Sequence, residues 1–514
     1  MKLFADKYNR IFMALFVAYV VIFTVLSFLR LDTHKTYLND LGNMDQAVWS
    51  TLHGKFLHQS NTADGRLLTR FNEHFDPVLL VFVPFYFIWA SPLWLLFFQA
   101  LAIAVGAIPL YLLAKKRLSP FFAVLLTACY FLYPALENAN LYDFHPIVLA
   151  VPVISFMIWA IIEERMKLFW ILAILLLLIK EEMPLTLVGM GMYLLTRKKY
   201  MQGFAAVFLG AITFVLVMKV IIPFFSPLHE HPLLAGGSNL YGSGYVSRFA
   251  WLGTSLGEIL HTLFARPMYV LKTLCTQDRG SYLMFLGFPL MLLPFFTPVL
   301  LISIPTVAIN LLDSTEMMHS LFFYHSAVVA PVFFLGAVMV LEKIKYRKPQ
   351  WSYPVLTGIV GISLIIHLTQ GLLPYSVAPL RYYLQDFYPQ QHYKEVAVIK
   401  KIIPPDASVS VQQNLGIYFA QRLEIYRFPL KAESVDYVVM DLTNSYYGEV
   451  SKARFDYMLL INRPQIAWKL FSLVDNNSYG VYYHKDGYLV LKKGYCNIHS
   501  RQILENIIKN FYKA

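Results

Sequence analysis

Charge is scarce in this chain: Asp, Glu, Lys and Arg make up 14% of its 514 residues, where a soluble globular protein carries about a quarter. Hydrophobic residues make up 57% and aromatic residues 16%, and mean hydropathy is +0.52. This composition excludes an ordinary soluble enzyme and predicts a polytopic membrane protein. Cysteine is also sparse. Cys129, Cys275 and Cys496 lie far apart without paired ligand spacing, which excludes a disulfide framework and a cysteine zinc site. The formal net charge is +12, but the basic residues form short clusters between apolar runs. That is the pattern of cytoplasmic membrane loops, so no nucleic-acid partner is expected.

What is present is a series of apolar runs at approximately 11–30, 93–114, 120–136, 146–162, 168–179, 184–196, 201–225, 281–295, 297–312, 321–342 and 352–373. They predict a mainly α, transmembrane helical bundle of about eleven spans, several shorter than the ~20 residues of a perpendicular helix. Lys2, Lys7 and Arg10 precede the first run and no small-residue cleavage site follows it, as in an uncleaved signal anchor. With the N-terminus cytoplasmic, Lys115-Lys116-Arg117, Arg165 with Lys167, Arg197-Lys198-Lys199, and Lys343 with Lys345, Arg347 and Lys348 all fall on the cytoplasmic side. This topology requires that Pro77 to Ala90 be interfacial or re-entrant. It places the chain in the plasma membrane as a multi-pass protein, with residues 1–374 as the transmembrane module and 375–514 as a small external α/β domain. In that domain Ser408 to Val411, Glu424 to Phe428 and Ser434 to Leu442 read as strands, Asn414 to Arg422 as a helix, and Gly480 to Lys493 as a hairpin turning at Asp486-Gly487. The domain has no Gly-rich phosphate loop and no nucleophile elbow.

The same topology collects acids and histidines outside, in loops 31–92 and 226–280 and in shorter turns. The stretch Asn39 to Gly54 reads as a short helix, with Asp40 able to cap it and Gly54 able to stop it. Leu41, Met44, Val48 and Leu52 form one stripe, with Asp45 at its edge. A carboxylate beside an apolar wall is held and tuned as catalytic acids are, so Asp45 is the candidate base and Asp40 the alternative, or simply a cap. Arg66, Arg70 and Lys180 are candidate phosphate partners or interfacial anchors, with His74 and Glu181 as further substrate-binding candidates. For Asp143 and His145 two readings stand. They join Asp45 at a divalent ion such as Mn²⁺ or Mg²⁺, or Asp143 caps the following helix and His145 makes a local hydrogen bond. In loop 226–280, Gly236-Gly237-Ser238-Asn239 and Gly242-Ser243-Gly244 supply mobile backbone, and Trp251 to Lys272 reads as a helix on the bilayer, either a lid or an ordinary long loop.

Asp40-Leu41-Gly42-Asn43-Met44-Asp45-Gln46-Ala47-Val48-Trp49, Glu73-His74-Phe75-Asp76-Pro77, Asp143-Phe144-His145-Pro146, Lys180-Glu181 and Pro404-Pro405-Asp406-Ala407-Ser408-Val409 resemble a family of polytopic prokaryotic membrane proteins known as a domain of unknown function. That family is similar to the GT-C glycosyltransferase superfamily. The resemblance implies a polyprenyl-phosphate sugar donor, inversion at the sugar carbon, a first-loop acid at Asp40 or Asp45 and a second-loop acid at Asp143. The second loop has no Asp-x-Asp pair, and no oligosaccharyltransferase acceptor motif is present. The expected function is sugar transfer to an external lipid, glycan or protein. Its rivals are a transporter or flippase of a lipid-linked or anionic solute, with Lys180, Glu181 and Lys219 along the path, and a non-catalytic receptor or scaffold.

Overall fold

The computed structural model describes residues 6–60, 65–232, 248–372, 382–443 and 463–512. The glycine-rich segments 236–239 and 242–244 lie outside the described residues. The first helix, Lys7–Asp32, opens on Asp6, whose side chain accepts the Tyr8 amide at 3.0 Å. At 1.5 Å per residue its 26 residues reach about 39 Å, more than the hydrocarbon thickness of a bilayer. Four further helices are long and apolar enough to cross a membrane: Leu93–Arg117, Tyr200–Phe225, Tyr324–Arg347 and Pro349–Gln370. Pro120–Phe131 and Pro134–Leu141, bent by 46°, make a sixth span if counted together. The bend falls where Pro134 removes a ladder hydrogen bond and its ring crowds the preceding turn.

Among the described residues, five helices, or six with the bent pair, are thus long and apolar enough to cross, where eleven spans are expected from the sequence. Pro146–Ile162, Met166–Leu177 and Met183–Thr196 are apolar helices of less than spanning length. Runs 281–295 and 297–312 are not single helices at all: Pro289, Pro294 and Pro298 divide them into short turns between the helices Gln277–Gly287 and Ile304–Leu312. Met291 and Leu292, with φ of 52° and 58°, reverse the chain between them. Pro77 to Ala90 is a 3₁₀ turn, Pro77–Phe82, running into the short helix Val83–Ile88. Elsewhere small residues let helices meet backbone to backbone. A Cβ on Gly191 would lie 2.7 Å from the Gly203 carbonyl oxygen, which seats Met183–Thr196 against Tyr200–Leu216.

The basic clusters gather at one end of the bundle beside the N-terminus. Lys115 pairs with Asp6 at 2.5 Å, Lys116 with Glu163 at 2.5 Å, Arg117 with Glu342 at 3.2 Å and Lys199 with Glu164 at 3.0 Å. In the long loop, the expected helix from Trp251 is two shorter ones, Leu256–Ala265 and Pro267–Leu274, broken where Pro267 follows Arg266. Leu260, Phe264, Met268 and Leu271 are exposed on them.

A hairpin in the first loop pairs β1 (His58–Ser60) antiparallel to β2 (Leu67–Thr69). The C-terminal domain holds a five-stranded sheet of β3 (Val409–Val411), β4 (Ile425–Arg427), β5 (Tyr437–Asp441), β6 (Tyr479–Lys485) and β7 (Tyr488–Lys493), in the order β4-β3-β5-β7-β6. β3 runs parallel to β4 and β5, and β7 antiparallel to β5 and β6. The β6–β7 turn is Asp486-Gly487, both with positive φ (52° and 84°), as a tight primed hairpin turn requires. The expected helix from Asn414 is a single 3₁₀ turn, Gly416–Phe419.

The period of two sends alternate side chains to two cores. Val438, Met440, Leu489 and Leu491 pack against the helices Arg463–Asp475 and Ser500–Tyr512. Tyr437, Val439, Tyr488 and Val490 join Leu38, Leu41, Met44 and Val48 of the first loop in one shared core. The apolar stripe read from the first-loop sequence thus faces the C-terminal domain.

Candidate functional site

Asp40 owes its position to an irregular turn. The Gly42 amide donates to the Tyr37 carbonyl at 3.0 Å, the five-residue spacing of a π turn over Leu38–Gly42, and a regular helix, Asn43–Leu52, follows. π turns of this kind often mark functional sites. Asp40 sits inside the turn rather than at its N-cap, which corrects the capping reading. One of its oxygens accepts from the Tyr142 hydroxyl at 3.3 Å and the other faces His145 Nε2 at 3.5 Å.

Asp40 and His145 line a cavity of about 150 Å³, together with Arg70, His74, Lys180, Arg248 and Tyr324. Lys180, in the short connection between Met166–Leu177 and Met183–Thr196, lies 3.4 Å from Glu182 and 5.8 Å from the centre of the Tyr324 ring. Burial opposes its charge, but Glu182, Glu181 and Tyr324 outweigh it and hold the ammonium protonated. Arg248 enters from the long loop and faces Asp313 at 3.6 Å. Nothing in the residues around Arg248 marks it in the sequence; only the fold brings it to the cavity.

Other expected residues support the wall. Arg70 is buried and engaged by Asp76 through Nε and Nη2, at 2.8 and 2.5 Å to one oxygen, with Gln59 at 2.6 Å on Nη1. This bidentate pair fixes the loop. Glu181 accepts from the Phe75 amide at 3.1 Å and meets His74 Nδ1 at 2.9 Å; burial opposes its charge, and His74, Lys180 and His231 hold its carboxyl well below the usual range. Arg66 is exposed beside β2 and is not among the cavity-lining residues. Lys219, on the helix Tyr200–Phe225, is exposed as well and lies off the cavity.

Asp45 also lies off the cavity, at the boundary with the C-terminal domain. It is fully buried; one oxygen accepts from Tyr86 at 2.8 Å and Gln421 at 3.1 Å, and the other has no hydrogen-bond partner. Burial pushes its carboxyl up to about 6 against those hydrogen bonds. Asp143 is buried too, and one of its oxygens accepts the Tyr37 amide at 2.7 Å, just ahead of the π turn. Burial and the neighbouring Asp40 push its carboxyl up, opposed by Arg30 and by the Tyr37 and Leu41 amides. Asp143 therefore caps the turn that carries Asp40, not the helix that follows it in sequence. Among the described residues, no group of three or more His, Cys, Asp and Glu side chains could hold a metal ion. With the Asp143 carboxylate turned to the backbone and Asp45 at the domain boundary, the expected Asp45, Asp143 and His145 donor set is not assembled.

The fold has solved counterparts. ArnT from Cupriavidus metallidurans, in its crystal structures bound to undecaprenyl phosphate and in the apo state, aligns with a TM-score of 0.50 at 13% identity, covering 93% of this chain and 97% of that one. The oligosaccharyltransferase of Archaeoglobus fulgidus in the apo form aligns with a TM-score of 0.46 at 13% identity, over 95% of this chain and 75% of that one. These neighbours are GT-C glycosyltransferases, and at such identity the likeness is one of fold. No curated protein matches the chain. A family model does match, over residues 35–490, from the π turn to β7, and the chain belongs to that family, described as predicted membrane protein (DUF2079).

Proposed function

We propose that this protein is a membrane glycosyltransferase that moves a sugar from a polyprenyl-phosphate donor to an external lipid, glycan or protein acceptor. The observation that carries this reading is the meeting of the Asp40 carboxylate with Lys180 and Arg248 in one cavity of a GT-C fold. Asp40 takes the proton of the acceptor hydroxyl as its oxygen attacks the sugar carbon. Lys180 and Arg248 offset the charge left on the lipid phosphate. A single displacement of this kind inverts the sugar carbon. The undecaprenyl phosphate in the ArnT structure supports the donor class. The cavity and the C-terminal domain face outward in this reading, with the N-terminus and its basic clusters in the cytoplasm.

Asp45 takes no part in the chemistry in this scheme; it serves the contact with Gln421. The transport reading loses Lys219 as a path-lining residue, because that side chain lies off the cavity. The test uses purified protein in lipid nanodiscs with a panel of radiolabelled polyprenyl-phosphate sugars, and follows sugar released from the lipid. Release by wild type and by Asp45→Asn, with loss in Asp40→Asn, is expected. If wild type consumes no donor, the enzyme reading falls and transport of a lipid-linked solute becomes the reading to test.

A further inference from the structure

We propose that His145 is the proton partner of Asp40: the two side chains take up one proton as a unit, held between Asp40 Oδ1 and His145 Nε2. The role of the pair in catalysis rests on the transfer reading above; its proton sharing does not.

The geometry leaves little freedom. His145 Nδ1 lies 2.9 Å from the carbonyl oxygen of Asp143. A carbonyl only accepts, so Nδ1 carries hydrogen. Tyr324 stacks on the ring, with centroids 3.4 Å apart and planes 16° from parallel, and holds its plane. The His145 amide donates to Gln99 Oε1 at 2.9 Å, and the Gln99 amide group is itself held by the Ala139 and Asn140 carbonyls at 3.2 and 3.1 Å. Nε2 is thereby aimed at Asp40, 3.5 Å away. When His145 is neutral, Nε2 presents a lone pair to a carboxylate, and the two repel. A proton between them removes the repulsion.

The other charged and titratable groups around the ring set the state in which this happens. Lys180 opposes a second positive charge on the ring, with Arg248 in the same cavity and His325 beside it, while Asp40 and the Asp143 carbonyl favour the imidazolium. Burial works in the same direction as the cations. Burial and the cation thus favour a neutral His145, whose Nε2 lone pair is ready for a proton. In transfer, the acceptor O–H bond breaks as its oxygen bonds to the sugar carbon, and the carbon–phosphate oxygen bond breaks with its electrons on the phosphate. The proton goes to Asp40 and on to Nε2. The result is an imidazolium whose other N–H stays on the Asp143 carbonyl. His145 acts through Asp40 and is a positioning residue, while Asp40 touches the acceptor.

The test labels histidine with ¹⁵N in the full-length protein in nanodiscs and follows His145, identified by loss of its signal in His145→Gln, as pH is varied. In wild type, Nε2 should gain its proton at a higher pH than in Asp40→Asn, an isosteric change that removes the carboxylate charge. An unmoved titration would overturn the proposal, and so would a lone pair retained on Nε2 throughout the acid range in wild type. Donor consumption gives a separate readout. His145→Gln should lower kcat about 10²-fold, leave KM for the donor unchanged, and move the acid limb of the pH profile to lower pH. A rise in KM with kcat and the acid limb unchanged would assign His145 to ground-state binding and overturn its proton role. Should wild type consume no donor while the ¹⁵N titration still shifts with Asp40→Asn, the transfer reading fails and the proton-sharing pair stands.

Discussion

The Leu38 amide donates to the Gln413 carbonyl at 2.9 Å, across a sequence separation of most of the chain. Leu38 is the first residue of the π turn that carries Asp40, so the C-terminal domain holds one end of the catalytic candidate's own turn. Gly416 completes the contact: a Cβ there would lie 2.4 Å from Leu38 Cβ. Gly416→Ala should therefore push the turn away and destabilise the protein by about 1–3 kcal/mol, the usual cost of overpacking. Thermal unfolding in nanodiscs, followed by intrinsic fluorescence, measures this. An unchanged melting temperature would mean that the contact is slack.

Arg70 and Asp76 make a separate prediction, because both are buried and each is the other's charge partner. Arg70→Ala leaves the carboxylate alone and should cost about 3–5 kcal/mol. Arg70→Lys loses the fork and should be destabilising too. The effect should appear in melting temperature before it appears in donor KM, which separates a wall residue from a phosphate ligand.

Lys180 and Arg248 should behave in the opposite way. In the transfer reading, replacing either by Gln removes a charged hydrogen bond to the donor phosphate, worth about 1.5–3 kcal/mol. Donor KM should rise about ten- to a hundredfold, while the uncharged acceptor binds as before. Steady-state kinetics with the donor varied checks this.

Asp45 gives a pH dependence with a definite sign. Its folded-state value is raised to about 6 from 3.8, so between those values the folded chain binds the proton and the unfolded chain has lost it. Stability contributed by this group is greatest in acid and falls as pH rises through about 6. Asp45→Asn removes the penalty. It should stabilise the protein at neutral pH by at most about 2–3 kcal/mol and flatten the melting curve against pH across that window. If Asp45→Asn melts lower than wild type at neutral pH, the carboxylate is needed as an ion at the domain boundary.

Much of this was readable in the chain, for reasons that particular residues make plain. Tyr437 to Asp441 is buried on both faces and reads as a strand because both faces are covered, and Asp486-Gly487 fixes the β6–β7 hairpin by local chemistry alone. Asp40, His145 and Lys180 stood out because polar groups next to apolar runs are rare. The choice between Asp40 and Asp45 was not readable. Helical spacing marks Asp45 as the acid beside an apolar stripe, but that stripe is covered in part by residues of the C-terminal sheet more than three hundred positions away, and the π turn that frees Asp40 has no pattern in the sequence. Runs 281–295 and 297–312 have the hydropathy of spans, and only their prolines announce that the backbone breaks.

The shared core of the first loop and the sheet also bears on how the protein is made. Leu41 and Val48 are synthesised early, and Val439 and Val490, which bury them, emerge near the end. The wall that carries Asp40 is therefore finished last, and until then its apolar stripe is exposed as an incomplete intermediate. Chains cut short before β7 should be inserted in the membrane yet sticky and inactive, and the cell's quality control would read them as unfinished.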